Sequence, residues 1–260
     1  MKASNMTNKI LPTLSMLVYI FLWAPVIILI LFSFSSNRFG IKWESFTLQW
    51  YFDIIGNVAV RDALIRSLTI ASITIVVATI AGTIAAYGLY KYKFHGRGAL
   101  RTTILLPMVM PSVVTGGALL VFFSRAIHIP LGYLSITIAH ITFCTPLAMF
   151  VVLGRMARID WSLEEASADL GADRLTTWRK ITIPVLLPAM IASASLIFPW
   201  SFDDFIITYF VAGVGTTTLP IYIFSQLRFG ATPVINTIGT ILVVLPIISV
   251  LLMHFLQKKN

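Results

Sequence analysis

The dominant pattern in the sequence is a series of long apolar runs that contain no aspartate, glutamate, lysine or arginine. A helix needs about 20 mostly apolar residues to cross the hydrocarbon core of a bilayer. Six runs reach this length and predict an all-α membrane protein with six transmembrane helices. The runs cover residues 10–37, 67–90, 102–124, 126–154, 181–202 and 229–257.

Proline and glycine adjust the boundaries predicted for these helices. The first run has its apolar centre at residues 11–33, too long for a signal-peptide core, so we interpret it as a retained helix. Pro130 and Gly132 shift the expected start of the fourth helix to about position 133. Pro184 and Pro188 shift the start of regular helix in the fifth run to about position 186.

A further uncharged run, residues 205–227, is broken by Gly213, Gly215 and Pro220. Its unbroken ends are too short to span about 30 Å at a rise of about 1.5 Å per residue. We therefore expect an external loop, or a loop that dips into the protein where its backbone is shielded from lipid.

The basic residues orient the six predicted helices. Both termini then face the same side, and 13 of the 19 lysine and arginine residues, including Lys258 and Lys259, fall on that side, whereas Arg38 falls on the other. Cytoplasmic loops carry the excess of basic residues in membrane proteins. We therefore expect both termini to be cytoplasmic.

The composition agrees with a membrane protein. Hydrophobic residues make up 58% and charged residues 11%, and the mean hydropathy is +0.90. Soluble domains carry about 25% charged residues, which excludes a soluble enzyme. Continuous apolar runs exclude a porin-like barrel. The net charge of +9 is spread over short loops, which argues against nucleic-acid binding. A single cysteine, Cys144, excludes an intrachain disulfide.

The longest polar segment, residues 155–180, predicts two short helices between the fourth and fifth spans. Ser162 and Glu165 have the spacing of a capping box at the start of the first helix. Gly171 is suited to end this helix, and Asp173 is suited to cap the second one.

The apolar positions of the first short helix share one face: Leu163, Ala166 and Leu170. We expect its acidic side chains, Glu164, Glu165 and Asp169, to be exposed. This pattern alone leaves two interpretations open, a solvated connector and a docking element for a cytosolic partner.

A gapped motif favours the docking interpretation. Residues 165–171 read E-A-S-A-D-L-G, and after nine further residues 181–184 read I-T-I-P. This pattern resembles the EAA loop of ABC importer permeases, apart from Ser167 for alanine and Ile183 for leucine. The resemblance implies a type I ABC importer permease fold, in which residues 155–184 form a cytoplasmic coupling loop that docks on an ATPase subunit. The residues it assigns to this loop are Glu164, Glu165, Ala166, Gly171 and Pro184.

Other segments extend the resemblance over about residues 60–260. They are a basic aromatic turn at 90–97, a proline-broken helix at 106–111, and stretches at 140–146, 201–204 and 213–236 that are similar to the polyamine (spermidine and putrescine) subgroup. The resemblance implies a core domain at 61–260 in the bacterial inner membrane, with a peripheral first helix and external loop at 1–60. It also implies three kinds of protein partner: a second, different permease chain, two ATPase subunits and an external solute-binding protein.

The chain is not expected to catalyse a reaction itself. It has no G-x-x-x-x-G-K motif, so ATP hydrolysis requires another chain. The four histidines are scattered without metal-ligand spacing, and we expect no catalytic residue, no metal and no cofactor. His140 is expected to be packed or hydrogen-bonded in the core. The absence of an internal repeat disfavours a self-sufficient secondary transporter.

Asp203 and Asp204 are adjacent acids at the end of the fifth predicted span. Carboxylates beside hydrocarbon usually face a cavity or a partner, although a helix end in water is the alternative. With Trp200 and Tyr209 they suit a small cationic solute such as a polyamine, so we expect these four residues to line the substrate path. Ser112 stands where polyamine relatives often carry an acid. This leaves aminoethylphosphonate or another small solute as an alternative.

Small residues recur every four positions in the second span, at Ala78, Gly82 and Ala86. Such a stripe permits close approach of another helix. We expect it to serve ordinary packing within the bundle.

Overall fold

A computed structural model describes residues 2–37, 42–228, 230 and 232–257. Arg38, Lys258 and Lys259, which entered the charge count, lie outside the described residues. The described chain is α-helical, as expected. Its helices are α1 (Lys2–Phe32), α2 (Gln49–Gly56), α3 (Val58–Lys91), α4 (Arg97–Val109), α5 (Ser112–Val121), α6 (Tyr133–Met156), α7 (Ser162–Asp169), α8 (Arg174–Thr177), α9 (Ile183–Phe202), α10 (Ile206–Val211), α11 (Leu219–Leu227) and α12 (Pro233–Gln257).

Four helices in the described residues are long and apolar enough to cross a membrane: Leu11–Phe32, Val58–Lys91, Tyr133–Met156 and Arg174–Phe202. The bent pair α4 and α5 makes a fifth candidate if it is taken as one span. The last predicted span corresponds to α12, whose apolar part includes Pro233–Val244. The total of six membrane-spanning helices therefore stays a prediction.

The break predicted in the third span is confirmed. The helices on either side of it are bent by 106°. Met110 has an extended backbone and Pro111 follows it, a combination that favours the end of a helix because proline disfavours the α conformation of the residue before it. A π-helical turn, Phe122–Ala126, ends this segment.

The start of α6 at Tyr133 agrees with the prediction, but the predicted start of regular helix near residue 186 is wrong. The chain is helical from Arg174 to Phe202. The segment Trp178–Thr182 forms a π-helical turn, in which the N–H of Ile183 donates to the carbonyl of Trp178. This wide turn lies directly before Pro184, which lacks an N–H, so the helix continues through the proline instead of starting after it.

The uncharged run 205–227 forms two short helices, α10 and α11, and neither is long enough to span a membrane. On α10 the side chains of Ile207, Thr208 and Val211 are buried, and this helix packs against α5 and α6. The expectation of a loop that dips into the protein is therefore met by a short buried helix.

The chain divides into two compact units. One comprises the described residues of Asp62–Ile221, and its core has two buried apolar clusters that both contain residues of α3, α6 and α9. Gly82 of α3 packs directly on α6, since a Cβ placed on it would lie 2.5 Å from the Cβ of Ala148. The expectation of ordinary packing at the small-residue stripe is confirmed, and Ala78 and Ala86 are fully buried.

The other unit comprises the described residues of Met1–Arg61 and Tyr222–Asn260. Here α12 packs against α1 and α2. Gly239 faces the side chain of Leu29, and the Ser33 hydroxyl lies 2.8 Å from the Tyr51 hydroxyl. The division of the chain near residue 60 into a periphery and a core stays a prediction.

Candidate functional site

The start of α7 differs from the predicted capping box. The helix begins at Ser162, and the carboxylate of Asp160 accepts a hydrogen bond of 3.0 Å from the Ser162 N–H. The Ser162 side chain is therefore not the cap, and the prediction of a Ser162–Glu165 box is wrong. Hydrogen bonds from the backbone and the side chain of Ser162 lower the pKa of Asp160 below its usual value.

The surface of α7 is arranged so that its apolar positions are exposed. Leu163 is 50% exposed and Leu170 is 89% exposed, and Ala166 is exposed between them. Within the described residues, the buried side chain of this helix is Ser167, which lies 3.0 Å from the Thr177 hydroxyl of α8. The predicted common face thus exists, but this chain does not bury it.

Glu165 and Asp169 are exposed, as expected, whereas the prediction that Glu164 is exposed is wrong. The Glu164 side chain is only 13% exposed. Its Oε2 lies 2.7 Å from Nζ of Lys91, and its Oε1 accepts a hydrogen bond of 2.6 Å from the hydroxyl of Thr182. Glu164 therefore connects α7 to the last residue of α3 and to the π-helical turn before α9.

Aromatic side chains surround this ion pair. The Nζ of Lys91 lies 4.4 Å from the ring centre of Trp161, within the range of a cation–π contact. The Trp161 ring packs against Tyr90 at 5.4 Å between centroids, and Trp178 packs edge-on against Tyr87 at 5.5 Å. The end of α3 and the segment that contains α7 and α8 therefore meet at a cluster of aromatic side chains.

A cleft of about 580 Å³ lies beside the same contacts. Its wall includes Tyr87 and Lys91 of α3, Glu164 of α7, Arg174 of α8 and Trp178 of the π-helical turn before α9. The cleft lies between the end of α3 and the α7–α8 segment, and the Lys91–Glu164 pair is part of its wall.

The end of α7 is formed as predicted. Gly171 has a left-handed backbone with φ of +79°, and the N–H of Ala172 donates to the Ser167 carbonyl, which closes a Schellman motif. Asp173 caps α8 by accepting a hydrogen bond of 3.2 Å from the Thr176 N–H. The Thr176 hydrogen bonds lower the pKa of Asp173.

The two acids that follow α9 have different environments. Asp203 is the C-terminal cap residue of α9 and is exposed. Neighbouring protein atoms remove part of the solvent from its carboxylate and the charge of Asp204 lies close by, so its pKa is raised. Oδ2 of Asp204 accepts hydrogen bonds from both the N–H and the hydroxyl of Thr208, at 2.8 and 2.9 Å.

His140 completes a buried polar network beneath Asp204. Its ring nitrogens lie 2.8 Å from the Ser201 hydroxyl and 2.9 Å from the Thr208 hydroxyl, and its Nε2 lies 3.6 Å from Oδ2 of Asp204. The expectation of a hydrogen-bonded core histidine is confirmed. The network joins α6, α9 and α10, and it engages one oxygen of Asp204 in holding α10 to the bundle.

The aromatic residues expected beside the acids are accessible. Trp200 is 46% exposed and Tyr209 is 53% exposed, and the Tyr209 ring packs at 5.5 Å against Phe205. Of the four residues expected to line a substrate path, Asp203, Trp200 and Tyr209 are exposed in this chain, while Asp204 is largely engaged within it.

Lys91 and Thr182, the two partners of the Glu164 carboxylate, were not predicted from the sequence. Lys91 belonged to a basic aromatic turn, and Thr182 filled the x position of the I-x-L-P motif. Neither position carries a local signal, because the partner Glu164 is far from both in sequence. Within the described part of the chain, no group of three or more histidine, cysteine or acidic residues could hold a metal ion.

Comparison with known families identifies the chain. The model of the family described as "Binding-protein-dependent transport system inner membrane component" matches residues 78–259, which include α7 and the network around His140. The chain belongs to this family. It is therefore an inner-membrane permease component of a transport system, and the resemblance noted for the EAA-like loop is confirmed at the level of the family.

Two curated permeases are similar to this chain over most of its length. The spermidine/putrescine transport system permease protein PotC of Haemophilus influenzae is 37% identical over 243 residues, covering 94% of each chain. The putrescine transport system permease protein PotI of Escherichia coli is 40% identical over 230 residues, covering 86% of this chain and 82% of PotI.

A solved structure supports the fold of the permease. A chain of a bacterial alginate ABC transporter, solved in complex with an alginate pentasaccharide-bound periplasmic protein, aligns with a TM-score of 0.74 and 18% identity. The alignment covers 99% of this chain and 96% of the alginate transporter chain. At this identity the likeness concerns the fold alone, which agrees with the expected ABC importer permease architecture.

Proposed function

We propose that this permease forms half of the membrane path of an ATP-driven importer of polyamines. The observation that carries the proposal is the α7 segment, which joins the EAA-like sequence to an exposed apolar face. The names of the PotC and PotI relatives support the solute class.

The exposed face of α7 is suited to dock a protein partner in water. Leu163 and Leu170 expose apolar surface on a helix that stands outside the candidate spans, and Glu165 adds a charge beside them. Burial of apolar surface in a groove provides the main favourable free energy of association. An ATPase subunit is the partner that fits, because this chain lacks a phosphate-binding loop and the EAA-like loop occupies its polar segment.

The complete importer then contains this chain, a second and different permease chain, two ATPase subunits and an external solute-binding protein. Both termini and α7 face the cytoplasm, in agreement with the distribution of basic residues. ATP binding draws the ATPases together and moves α7, and the attached helices rock to open the path toward the external side.

The external end of the path contains Asp203, with Trp200 and Tyr209 near it in sequence and similarly exposed. A carboxylate and aromatic faces attract ammonium groups, which are the charged groups of a polyamine. Asp204 contributes negative charge to the same region while one of its oxygens holds Thr208. Lipid contacts the outward apolar faces of the spanning helices.

The experiment that tests the docking role is affinity purification of the tagged permease from its native membrane. We compare the wild-type chain with the double variant Leu163→Gln and Leu170→Gln, which keeps α7 but makes its exposed face polar. The matched control is Val214→Gln, a fully exposed apolar residue between α10 and α11.

The wild-type chain and the Val214→Gln control should bring down a nucleotide-binding ATPase. The α7 double variant should lose at least about tenfold of it, as expected when central apolar contacts of an interface are removed. Recovery of no ATPase with the wild-type chain would contradict the importer proposal. Equal recovery with the double variant would show that α7 is not the docking element.

A further inference from the structure

The side chain of Glu164 points away from the exposed face of α7 and into the chain. It is the acidic residue of α7 that is largely buried, whereas Glu165 and Asp169 are exposed. A carboxylate removed from water in this way requires partners for its oxygens. Glu164 has one for each oxygen, the ammonium group of Lys91 and the hydroxyl of Thr182.

The two charges of the ion pair lie at helix ends that favour them. Lys91 is the last residue of α3, where the helix dipole favours a positive charge. Glu164 lies in the first turn of α7, where the dipole favours a negative charge. The 2.7 Å contact therefore joins the end of one spanning helix to the start of α7.

The second partner belongs to a different spanning helix. Thr182 is buried and is the last residue of the π-helical turn that leads into α9. Such turns are locally wide and often mark functional positions in helices. A hydrogen bond of 2.6 Å from Thr182 fixes the other Glu164 oxygen at this turn.

A second polar contact joins the start of α7 to a helix that crosses the membrane: Trp161, the residue before α7, donates its indole N–H to the Met156 carbonyl of α6 at 3.2 Å. Ser167 binds Thr177, but Thr177 belongs to α8 of the same loop. Lys91 and Glu164 both line the open cleft of about 580 Å³. A displacement of α7 can therefore be passed directly to α3 and α9 through the Glu164 carboxylate.

We propose that Glu164 is a positioning residue that transmits the movement of α7 to α3 through Lys91 and to α9 through Thr182, and that it does not contact the ATPase. This inference rests on the proposed function, because it assigns a mechanical role within the loop that docks the ATPase. Glu164 determines how much transport each ATP produces, and the exposed face of α7 determines whether the ATPase binds.

The test uses the complete importer, reconstituted in liposomes with its ATPases and binding protein. Glu164→Gln removes the charge but keeps the shape and an oxygen for Thr182. Lys91→Met removes the charge from the other side and leaves the α7 sequence unchanged. The matched control is Lys93→Met, which removes an exposed charge two residues further along.

Three quantities are measured for each variant: the ATPase recovered with the complex, the rate of ATP hydrolysis, and the putrescine transported per ATP hydrolysed. Glu164→Gln and Lys91→Met should each lower putrescine transported per ATP about three- to tenfold, within the range of coupling found for contacting charged residues. ATPase recovery should stay within about twofold of wild type. The control should match wild type in all three.

The double variant Lys91→Glu with Glu164→Lys restores opposite charges in exchanged positions, and its transport per ATP should exceed that of either exchange alone. A role in folding alone would reduce the amount of complex and leave transport per ATP unchanged. An unchanged ratio in both Glu164→Gln and Lys91→Met, or loss of ATPase recovery in Glu164→Gln, would overturn the proposal. A wild-type complex without an ATPase would instead contradict the proposed function.

Discussion

The contact between α3 and α6 at Gly82 offers a quantitative test of the packing. A Cβ on Gly82 would lie 2.5 Å from the Cβ of Ala148, 2.7 Å from the backbone nitrogen of Met149 and 2.9 Å from the carbonyl oxygen of Thr145. Two of these atoms belong to the α6 backbone and cannot move aside as a flexible side chain would. Gly82→Ala should therefore force the two helices apart.

Gly88 provides the matched control on the same helix. A Cβ on Gly88 would meet no atom within 4 Å. Overpacking in a tight core costs about 1–3 kcal/mol, whereas replacing a helical glycine by alanine gains up to about 1 kcal/mol. We expect Gly82→Ala to lower the free energy of unfolding by about 1–2 kcal/mol and Gly88→Ala to raise it slightly.

The single cysteine supplies the assay. Cys144 lies on α6 directly before Thr145 and is fully buried, so an alkylating reagent reaches it only when the bundle opens. Mass spectrometry of the Cys144 peptide measures its alkylation in the intact complex without interference from cysteines of partner chains. A difference of about 2 kcal/mol between the variants corresponds to roughly 30-fold in labelling rate. Equal rates for Gly82→Ala and Gly88→Ala would refute the close α3–α6 packing.

Three further predictions concern the acidic residues. Asp204→Asn should lower the thermal midpoint of the complex, because a hydrogen bond to a charged group such as the Asp204 carboxylate is worth about 1.5–3 kcal/mol. Asp203→Asn should not lower that midpoint, because burial and the nearby Asp204 charge disfavour the ionised form of Asp203. It should raise the putrescine concentration for half-maximal uptake, since the exposed carboxylate attracts the solute. The pKa of Asp173 is lowered by Thr176, so its cap is complete above about pH 4 and is lost as the pH falls through the lowered value. Hydrogen exchange at the Thr176 amide, corrected for intrinsic rates, measures this loss.

The parts of the fold that the sequence predicts correctly are those with a local cause. Gly132 ends the preceding turn, so the start of α6 follows from its position. Gly171 and Asp173 act on backbone groups within a few residues, and both form the ends that were expected of them. Pro111 similarly marks the bend between α4 and α5.

The errors arise where a distant residue or an unusual turn changes the outcome. Pro184 was expected to delay the start of α9, but the π-helical turn before it keeps the helix continuous. Ser162 was expected to cap α7, but the helix begins at Ser162 itself, and the Asp160 carboxylate accepts a hydrogen bond from the Ser162 N–H. Glu164 was expected to be exposed, and only the fold brings Lys91 and Thr182 to it.

The candidate site shows the same division. The motif at residues 165–171 was sufficient to indicate the family, while the docking role of this loop stays a prediction. The different environments of Asp203 and Asp204 were not readable from two adjacent acids, since the network of His140, Ser201 and Thr208 assembles from three helices.

In the proposed function, this permease moves polyamines only within an ATP-driven complex. The most direct measurement is uptake of labelled putrescine and spermidine by proteoliposomes that contain either the complete complex or this chain alone. We predict ATP-dependent uptake by the complete complex, its loss in the Leu163→Gln and Leu170→Gln double variant, and no uptake by the chain alone. Uptake by the chain alone, or ATP hydrolysis by the complex without movement of either polyamine, would contradict the account.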